Sequence, residues 1–179
     1  MGTKYKGTGQ VTAADFKDVK WVGKTKDGKA VTIELKDAIN MGNPDWTFAE
    51  KNDTVAQVVF TATYDNTDET ATETDEPWTV EMNGQTAGAS EIILGAGIFY
   101  VGGTPIALTR GGGNFKAERE FREINADGDR GPVKGRITME TSRASLTINT
   151  LQILTRLSDL YPGIAEVTEE TAPTEETTP

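Results

Sequence analysis

The chain has 179 residues, 36% of them hydrophobic, and carries 28 acidic against 18 basic side chains, which gives a formal net charge of −10. That length is enough for one domain with its own hydrophobic core. Because the chain contains neither Cys nor His, it excludes disulfides, Cys nucleophiles, Ser-His-Asp triads, and zinc or iron sites with His or Cys ligands.

The acidic charge is concentrated in two segments. Residues 65–76 carry six acids and residues 164–179 carry five, with no base in either segment. Both are rich in Thr and Glu and nearly devoid of apolar side chains, so we expect both to be flexible. The rest of the chain has 17 acids against 18 bases. An acidic chain of this kind is not expected to bind DNA sequence-specifically, because phosphate contacts need clustered Lys and Arg.

No association with a membrane is expected. The longest apolar run, at 92–107, is interrupted by Gly, Thr and Pro and is too short to cross a bilayer. The chain does not open with a basic segment followed by an apolar one, so no signal peptide is predicted. The absence of Cys is compatible with a reducing cytosol.

The first half of the chain predicts strands. Residues 1–14 are expected to form an irregular lead-in. An Asp27-Gly28 turn between alternating apolar positions predicts a hairpin over 17–35. Strict alternation makes 55–64 the strongest predicted strand, and a short strand is expected over 77–82.

Residues 83–90 have the composition of a linker, and the second half then predicts two hairpins and one helix. The first hairpin, over 98–109, turns at Gly102-Gly103, and the glycines at 111–113 are expected to interrupt the structure. The second is a charged ribbon formed by 115–124 and 133–140. Apolar residues at helical spacing over 150–161 predict a flanking helix that ends at Pro162-Gly163.

These elements predict a mainly β fold. We expect a β-sandwich or small barrel of two packed sheets with one flanking α-helix at about 150–161. A single domain is expected over 1–163, followed by a flexible acidic tail at 164–179.

The charged ribbon carries the candidate interaction residues. Acidic and basic side chains share one face of its first strand, and further bases are expected on the partner strand, which favours cross-strand ion pairing over an acid/base pair. Neither face is apolar enough to be enclosed within one subunit, so the ribbon projects into solvent, pairs with another subunit or lines an aqueous channel. The candidate residues for an inter-subunit or channel-lining role are Lys116, Glu118, Glu120, Arg122, Glu123, Lys134 and Arg136.

No catalytic, cofactor-binding or metal site is expected. Asn125, Asp127 and Asp129 have the spacing of a calcium loop, but arginines occupy the positions that require Gly and Glu. The glycines between 95 and 103 lack the spacing of a phosphate loop, and no helix follows them. They are interpreted as turn residues.

Two stretches of the chain carry motifs of a known family. The sequence EIILGAGIFYVGGTPIALTRGGG occupies 91–113 and continues through GPVKG at 131–135 to LYPG at 160–163. Residues 18–82 contain VKWVGKTKDGK at 19–29, DWTF at 45–48 and FTATYD at 60–65. The first stretch resembles the N-terminal half, and the second the C-terminal half, of the tail tube protein (major tail protein) of long-tailed, non-contractile phages. Together they cover about four-fifths of the chain.

The two halves stand in the reverse of the family's order, so we interpret the chain as a circular permutant. Residues 83–90 would join the family's usual C-terminal end to its usual N-terminal end, and the present ends would fall in the segment after the helix. Permutation is tolerated when the original ends lie close together and the cut falls in an exposed loop.

The resemblance implies a structural protein of the virion tail without enzymatic activity or cofactor. Six subunits of such proteins close into a ring with a continuous inner β-barrel, and rings stack into a tube through which DNA passes without specific binding. The implied partners are other copies of the chain, the tape measure protein and the tail terminator protein, with assembly in the bacterial cytoplasm. Because terminal segments bridge rings in this family, the permuted order predicts a folded monomer with reduced polymerisation.

An alternative from a different class is a carbohydrate- or receptor-binding β-sandwich module of a virion. Trp21, Trp46 and Trp78 would then form a platform on which sugars stack. Three tryptophans in the core are the favoured interpretation.

Overall fold

The computed structural model describes residues 3–48, 50, 52–64, 76–82, 93–128 and 130–167. Within these residues the chain forms ten strands, one short α-helix and two 3-10 turns, at Ala13–Asp15 and Leu154–Arg156. The strands and the helix are β1 Lys4–Gly7, β2 Lys17–Thr25, β3 Ala30–Asn40, β4 Ala56–Thr61, β5 Trp78–Met82, β6 Ile93–Val101, β7 Thr104–Ile106, β8 Thr109–Glu123, β9 Ile137–Thr150, α1 Leu157–Leu160 and β10 Ile164–Val167.

Eight of the strands form two packed antiparallel sheets that share β3. Hydrogen bonds run in the order β7-β6-β2-β3-β4-β9-β8, and β5 also pairs with β3. We call β7-β6-β2-β3-β5 sheet I and β3-β4-β9-β8 sheet II. The ends of the path, β7 and β8, do not pair with each other. The predicted mainly β fold of two packed sheets is therefore confirmed as a sandwich, and it is not a closed barrel.

The long strand β3 passes from one sheet to the other through a bend. Its first part, Val31 to Leu35, pairs with β5, whereas Ile39 and Asn40 pair with β4. Between them Asp37 has φ 42°, a left-handed conformation that is uncommon outside glycine. The Asp37 N–H donates to the Asp18 carboxylate, and its carbonyl accepts from the Thr63 hydroxyl. These bonds hold the corner at which the two sheets diverge.

The hydrophobic core lies between the sheets and contains residues from both halves of the sequence. Val19 and Leu35 point inward from sheet I, and Phe60, Leu146 and Ile148 point inward from sheet II, all almost completely buried. Burying each such side chain contributes about 1.5–3 kcal/mol. The alternation that predicted the hairpin over 17–35 and the strand over 55–64 is the alternation that builds this core.

The two ends of the described chain pair in a separate two-stranded sheet. In it, β1 and β10 are antiparallel, with Lys4 opposite Val167 and Gly7 opposite Ile164. The predictions of an irregular lead-in at 1–14 and a flexible tail from 164 are therefore wrong for these strands. Each strand provides hydrogen-bond partners for the backbone N–H and C=O groups of the other, and amino-acid composition alone does not predict this stabilisation. The rest of the tail, the acidic residues 65–75 and the linker at 83–90 lie outside the described residues.

The predicted helix over 150–161 is much shorter in the structure. Strand β9 continues to Thr150, because residues 145–150 pair with β4 on one side and residues up to 150 pair with β8 on the other. Only 157–160 is α-helical, after one 3-10 turn. The buried Asn40 amide donates to the Leu160 carbonyl over 2.8 Å and fixes the end of the helix. No helix in the described part of the chain is long and apolar enough to cross a membrane.

The glycines at 111–113 do not interrupt the chain as predicted. They lie inside β8, where the pairing register with β9 shifts between Thr109 and Gly113. Gly111 and Gly112 have φ of 78° and 73°, so the irregularity uses the left-handed conformations that glycine adopts without strain. The Gly102-Gly103 turn between β6 and β7 forms as predicted.

Candidate assembly surfaces

Sheet I has a free edge on each side. Strand β7 pairs only with Phe99–Val101 of β6, so Ile93–Ile98 has no strand on its outer edge among the described residues. On the opposite side, residues 78–81 of β5 pair with no strand other than β3 in the part of the chain that the structure describes. The β6 edge contains no charged residue and exposes Ile93, Leu94 and Ile98. Uncharged, apolar edge strands are templates for pairing with another chain.

An open cleft lies between the two sheets behind the β6 edge. Its volume is about 380 Å³, and Trp21, Phe99 and Phe115 contribute aromatic rings to its wall. The Trp21 indole lies so close to the glycine backbone that a Cβ at Gly23 would come within 2.1 Å of it, and one at Gly97 within 2.3 Å. Gly97 is therefore a packing residue within a strand, not the turn residue that the sequence predicted.

The outer face of sheet I, which points away from the core, carries paired charges. Lys20 Nζ lies 3.9 Å from Glu34 Oε1, and Lys36 Nζ lies 3.9 Å both from Glu34 and from Asp18. These distances allow lysines and carboxylates to neutralise one another locally. Lys20 and Lys36 are therefore locally paired on this wet, charged face, whereas Lys24, on the same face of β2, has no ion pair among the described residues.

The distal part of the predicted ribbon projects beyond the body of the sandwich. Strand β9 pairs with β4 from Ser145 to Thr150. The chain after β4 also contacts β9, since the Ala62 N–H donates to the Ala144 carbonyl and the Tyr64 hydroxyl donates to the Ser142 carbonyl. Beyond that point, residues 137–141 pair with β8 alone. Nearly all side chains of β8 are exposed, with Phe115 half-buried. We call β8 119–123, β9 137–142 and the described residues of the turn between them, 124–128 and 130–136, the arm.

The structure places the seven sequence-predicted residues on or next to the arm. Lys116 forms an ion pair with Glu118 on the same strand, and Arg122 lies 3.6 Å from Glu140 on β9. The Glu120 carboxylate accepts from the Thr141 hydroxyl over 3.0 Å. All these groups are exposed, so each pair is worth at most about 1 kcal/mol.

Lys134 and Arg136 do not lie on the partner strand as predicted. Strand β9 begins at Ile137, and Lys134 and Arg136 occupy the turn before it. The Arg136 N–H donates to the Val133 carbonyl over 3.0 Å, and its carbonyl accepts from the Ile124 N–H over 2.9 Å. This tight turn moves both bases to the end of the arm, next to Glu123, which is paired with Ile137.

A cluster around Glu76 fastens the base of the arm to sheet I. The Glu76 carboxylate lies 3.3 Å from the Arg119 guanidinium and accepts from the Ser142 hydroxyl over 2.7 Å and from the Trp78 indole N–H. Arg119 also lies 5.4 Å from the centre of the Trp78 ring. The sequence analysis missed this cluster, because Glu76 belongs to an acidic segment far from the ribbon in sequence and only β5 pairing brings it there.

The three tryptophans do not form a shared platform. Trp21 is buried in the core, whereas Trp46 packs edge-on against Tyr161 with ring centres 6.3 Å apart. Trp78 packs against Phe115 at 5.4 Å. Both half-buried tryptophans contact the core cluster, as the favoured interpretation predicts.

Two carboxylates have lowered pKa values. Burial acts to raise the pKa of Asp15, but the N–H groups of Thr12 and Gly163 and the Thr12 hydroxyl donate to its carboxylate and outweigh that effect, so the pKa lies below its usual value. A hydrogen bond from the Thr25 hydroxyl lowers the pKa of Asp27 in the β2–β3 turn. Neither group lies in a cleft with a catalytic arrangement.

No group of three acidic side chains in the described ranges is arranged to hold a metal ion.

Comparison with known proteins assigns the chain to no family. No protein-family model matches the chain, and no curated protein or solved structure matches it either.

Proposed function

We propose that the chain is a structural subunit that assembles with copies of itself into rings, and that stacked rings form the wall of a phage tail tube through which DNA passes. The single observation that carries this proposal is the pair of free edges of sheet I. The proposal assigns the chain no enzymatic activity and no cofactor. Its location is the virion tail, after assembly in the bacterial cytoplasm.

The two free edges support a head-to-tail contact between copies. Residues 78–81 of β5 in one copy would pair with residues 93–98 of β6 in the next, which extends sheet I across the contact. Such a heterologous contact forms a closed ring when its rotation closes and an open filament when it does not. Sheet II covers the inner face of sheet I, so the outer face is the one available to line the channel.

The charges on that outer face suit a DNA conduit. A channel that attracted phosphate would retain DNA through counterion release, because each Lys or Arg that neutralises a phosphate strengthens binding. Here Lys20 and Lys36 are matched by Glu34 and Asp18. In the assembled tail, the tape measure protein would occupy the channel and the tail terminator protein would cap the tube.

The permuted order is supported by the positions of the first and last described strands. Lys4 and Val167 are register partners in β1 and β10, so a short loop would join them. The connection that the permuted order adds runs from β5 to β6. These strands are separated in the sheet by β3 and β2, a width of about 14 Å at the usual spacing between strands. Met82 and Ile93 lie at the same end of these strands, and ten residues can span about 33 Å.

Light scattering and electron microscopy over a range of concentrations test the proposal. The chain is compared with a rejoined chain in the family's usual order, in which Val167 leads into Lys4 and Ile93 follows a new N-terminus. We expect the rejoined chain to form rings and tubes and the permuted chain to polymerise less. A rejoined chain that stays monomeric at every concentration contradicts the proposal, and long tubes of the permuted chain contradict only its reduced polymerisation.

A matched pair of substitutions in the rejoined chain tests the edge itself. Ile98→Lys places a charge on the free edge, whereas Thr32→Lys places the same charge on the same face two strands further in. We expect Ile98→Lys to raise the concentration needed for assembly about tenfold or more, equivalent to about 1.4 kcal/mol, and Thr32→Lys to leave it nearly unchanged. Equal effects would rule out the edge as the contact.

The second candidate function is a carbohydrate- or receptor-binding module of a virion. The observation in its favour is the groove at Trp46 and Phe48, where Thr54 and Gln152 stand beside aromatic rings. Sugars bind to such mixtures of aromatic faces and hydrogen-bonding groups. Saturable quenching of tryptophan fluorescence by a glycan, lost in Trp46→Ala, would favour this function.

A further inference from the structure

The cleft between the two sheets has features of a ligand-binding site that the proposed assembly does not use. Its volume of about 380 Å³ lies at the small end of the range for pockets that hold one small molecule. Trp21, Phe99, Phe115 and Leu146 line it, and none of its described lining residues is Asp, Glu, Lys or Arg. The cleft therefore suits an uncharged ligand, because an ion that enters an apolar site without a partner loses its hydration.

Glycines on both walls keep the cleft open. Gly95 and Gly97 lie on sheet I, and Gly112 and Gly113 lie on sheet II. Packed sheets normally stand about 10 Å apart, with side chains filling the space between them. At Gly95 and Gly112 that space is empty, since a Cβ at either position would meet no non-adjacent residue within 4 Å. The result is a slot between two sheet surfaces, a shape that fits a flat molecule.

The indole N–H of Trp21 is an unpaired hydrogen-bond donor at this cleft. The indole N–H of Trp46 donates to the Tyr161 hydroxyl, and that of Trp78 donates to the Glu76 carboxylate. In contrast, the N–H of Trp21 donates to no group in the described part of the chain, although this side chain is only 9% exposed. Buried indole N–H groups usually have an acceptor. The unpaired donor therefore marks a position at which an acceptor atom of a ligand would be stabilised.

The packing of the Trp21 ring places this donor at the wall of the cleft. A Cβ at Gly97 would lie 2.3 Å from the indole nitrogen, so the nitrogen lies directly over Gly97, which itself lines the cleft. Solvent reaches the nitrogen. A water molecule bound there would find few further polar partners beside the aromatic rings, so a ligand acceptor displaces it at a small cost.

From these features we infer that the cleft binds one uncharged, flat aromatic molecule with a carbonyl oxygen or ring nitrogen at its edge. That acceptor takes the hydrogen bond from the Trp21 N–H. The ligand ring contacts Phe99 and Phe115 in the offset or edge-to-face arrangements that aromatic pairs prefer. Thr109 and Asn114, which also line the cleft, provide polar groups for a substituent. This site is additional to the proposed self-assembly and does not depend on it.

Other classes of ligand match the cleft less well. A fatty acid or a nucleotide brings a negative charge, and no described residue of the cleft is basic. A sugar brings several hydroxyl groups, each of which needs a partner when it is buried. The polar side chains available to it are those of Trp21, Thr109 and Asn114. A neutral aromatic molecule leaves the fewest polar groups without a partner.

Coumarin tests the site, because it is flat, uncharged and carries a carbonyl oxygen at its edge. The present chain is labelled with ¹⁵N and titrated with coumarin while the indole N–H signals of its three tryptophans are followed by NMR. Trp46→Phe and Trp78→Phe each remove one signal and so identify the Trp21 signal without a change at Trp21 itself. We expect the Trp21 signal to shift saturably downfield, with a dissociation constant on the order of 0.1–1 mM for so small a ligand. Naphthalene has a similar two-ring shape but no acceptor and should cause no downfield shift.

A matched pair of substitutions on β6 tests where coumarin binds. Gly95→Phe places a ring in the cleft, whereas Ile98→Phe places the same ring on the outer face of the same strand. We expect Gly95→Phe to weaken binding roughly tenfold or more, because the new ring occupies the space of the ligand, and Ile98→Phe to change it less than about twofold. Equal affinity in two variants that both unfold cooperatively in urea overturns the inference. If Gly95→Phe does not fold, the titration of the unsubstituted chain decides.

Each outcome of the titration is separate from the test of ring assembly. A saturable downfield shift of the Trp21 signal supports the site whether or not the rejoined chain forms rings. No shift up to the solubility limit of coumarin overturns the inference even when rings form. A shift confined to the Trp46 signal also overturns it, because coumarin then binds in the groove at Trp46. Equal shifts of all three indole signals indicate non-specific binding and overturn it as well.

Discussion

The backbone N–H of Thr8 donates to the carbonyl of Gly163 over 2.7 Å, although 155 positions of sequence separate the two residues. Beside this bond, β1 pairs with β10, so the first and last described strands form one ribbon. A hydrogen-bonded antiparallel pair of this kind is the usual product of a hairpin whose strands follow each other directly.

The rejoined chain should therefore fold. With Val167 linked to Lys4 by a loop of about two to four residues and the chain opened between Met82 and Ile93, we expect the near-UV circular dichroism of the present chain. The free energy of unfolding should be at least as high. A short loop keeps β10 and β1 close together in the unfolded chain, so less conformational entropy is lost when the two strands pair. A rejoined chain without cooperative unfolding would contradict the permutation.

Gly97→Ala should destabilise the fold by about 1–3 kcal/mol. The new Cβ would lie 2.3 Å from the Trp21 indole, which the surrounding core holds in place. Urea unfolding followed by tryptophan fluorescence measures the change. Gly95→Ala is the matched control in the same strand, because nothing lies within 4 Å of its Cβ position. Similar losses in both variants would show that strand propensity, not the indole, sets the cost.

Arg119→Ala should loosen the arm. The change removes the ion pair with Glu76 and the contact with the Trp78 ring, which together stabilise by about 1–2 kcal/mol. Hydrogen exchange measures the result as faster exchange of amides in residues 117–123. Arg122→Ala is the control, since its pair with Glu140 is exposed on both sides. Equal exchange in the two variants would contradict an anchoring role for Glu76.

The β1–β10 end of the molecule should weaken in acid. Because the pKa of Asp15 is lowered in the folded state, its carboxylate contributes stability above the unfolded pKa of about 3.9, and this contribution is lost as the pH falls through the folded value. We expect Asp15→Asn to cost about 1 kcal/mol near pH 6 and less near pH 3, below the unfolded pKa. Urea unfolding at both values measures this difference.

The control for the acid effect is Asp45→Asn, which removes an exposed carboxylate. Its stability relative to the unmodified chain should change little with pH. If Asp15→Asn behaves in the same way, the hydrogen bonds from Thr12 and Gly163 do not contribute the expected stability.

Local sequence patterns predicted the strands whose neighbours in sequence are also neighbours in space. Alternation at 17–35 and an Asp-Gly turn identified the β2–β3 hairpin, and alternation at 55–64 identified β4, because side-chain period depends only on the strand itself. The same reasoning placed seven charged residues on one ribbon. It failed to distinguish β9 from a helix near 150, since Leu151 to Leu160 has helical spacing while strand pairing with β4 and β8 governs Thr150.

The sequence alone determined the mainly β class, the absence of Cys and His chemistry, and the charge of the ribbon, because these follow from composition and from periodicity along the chain. The tertiary structure decided which strand edges lack a partner in the described part of the chain, that Glu76 holds Arg119, that Lys134 and Arg136 lie in the turn of the arm, and that β1 pairs with β10. Each of these depends on contacts between residues distant in sequence, and no local pattern encodes which distant strand supplies the hydrogen-bond partner.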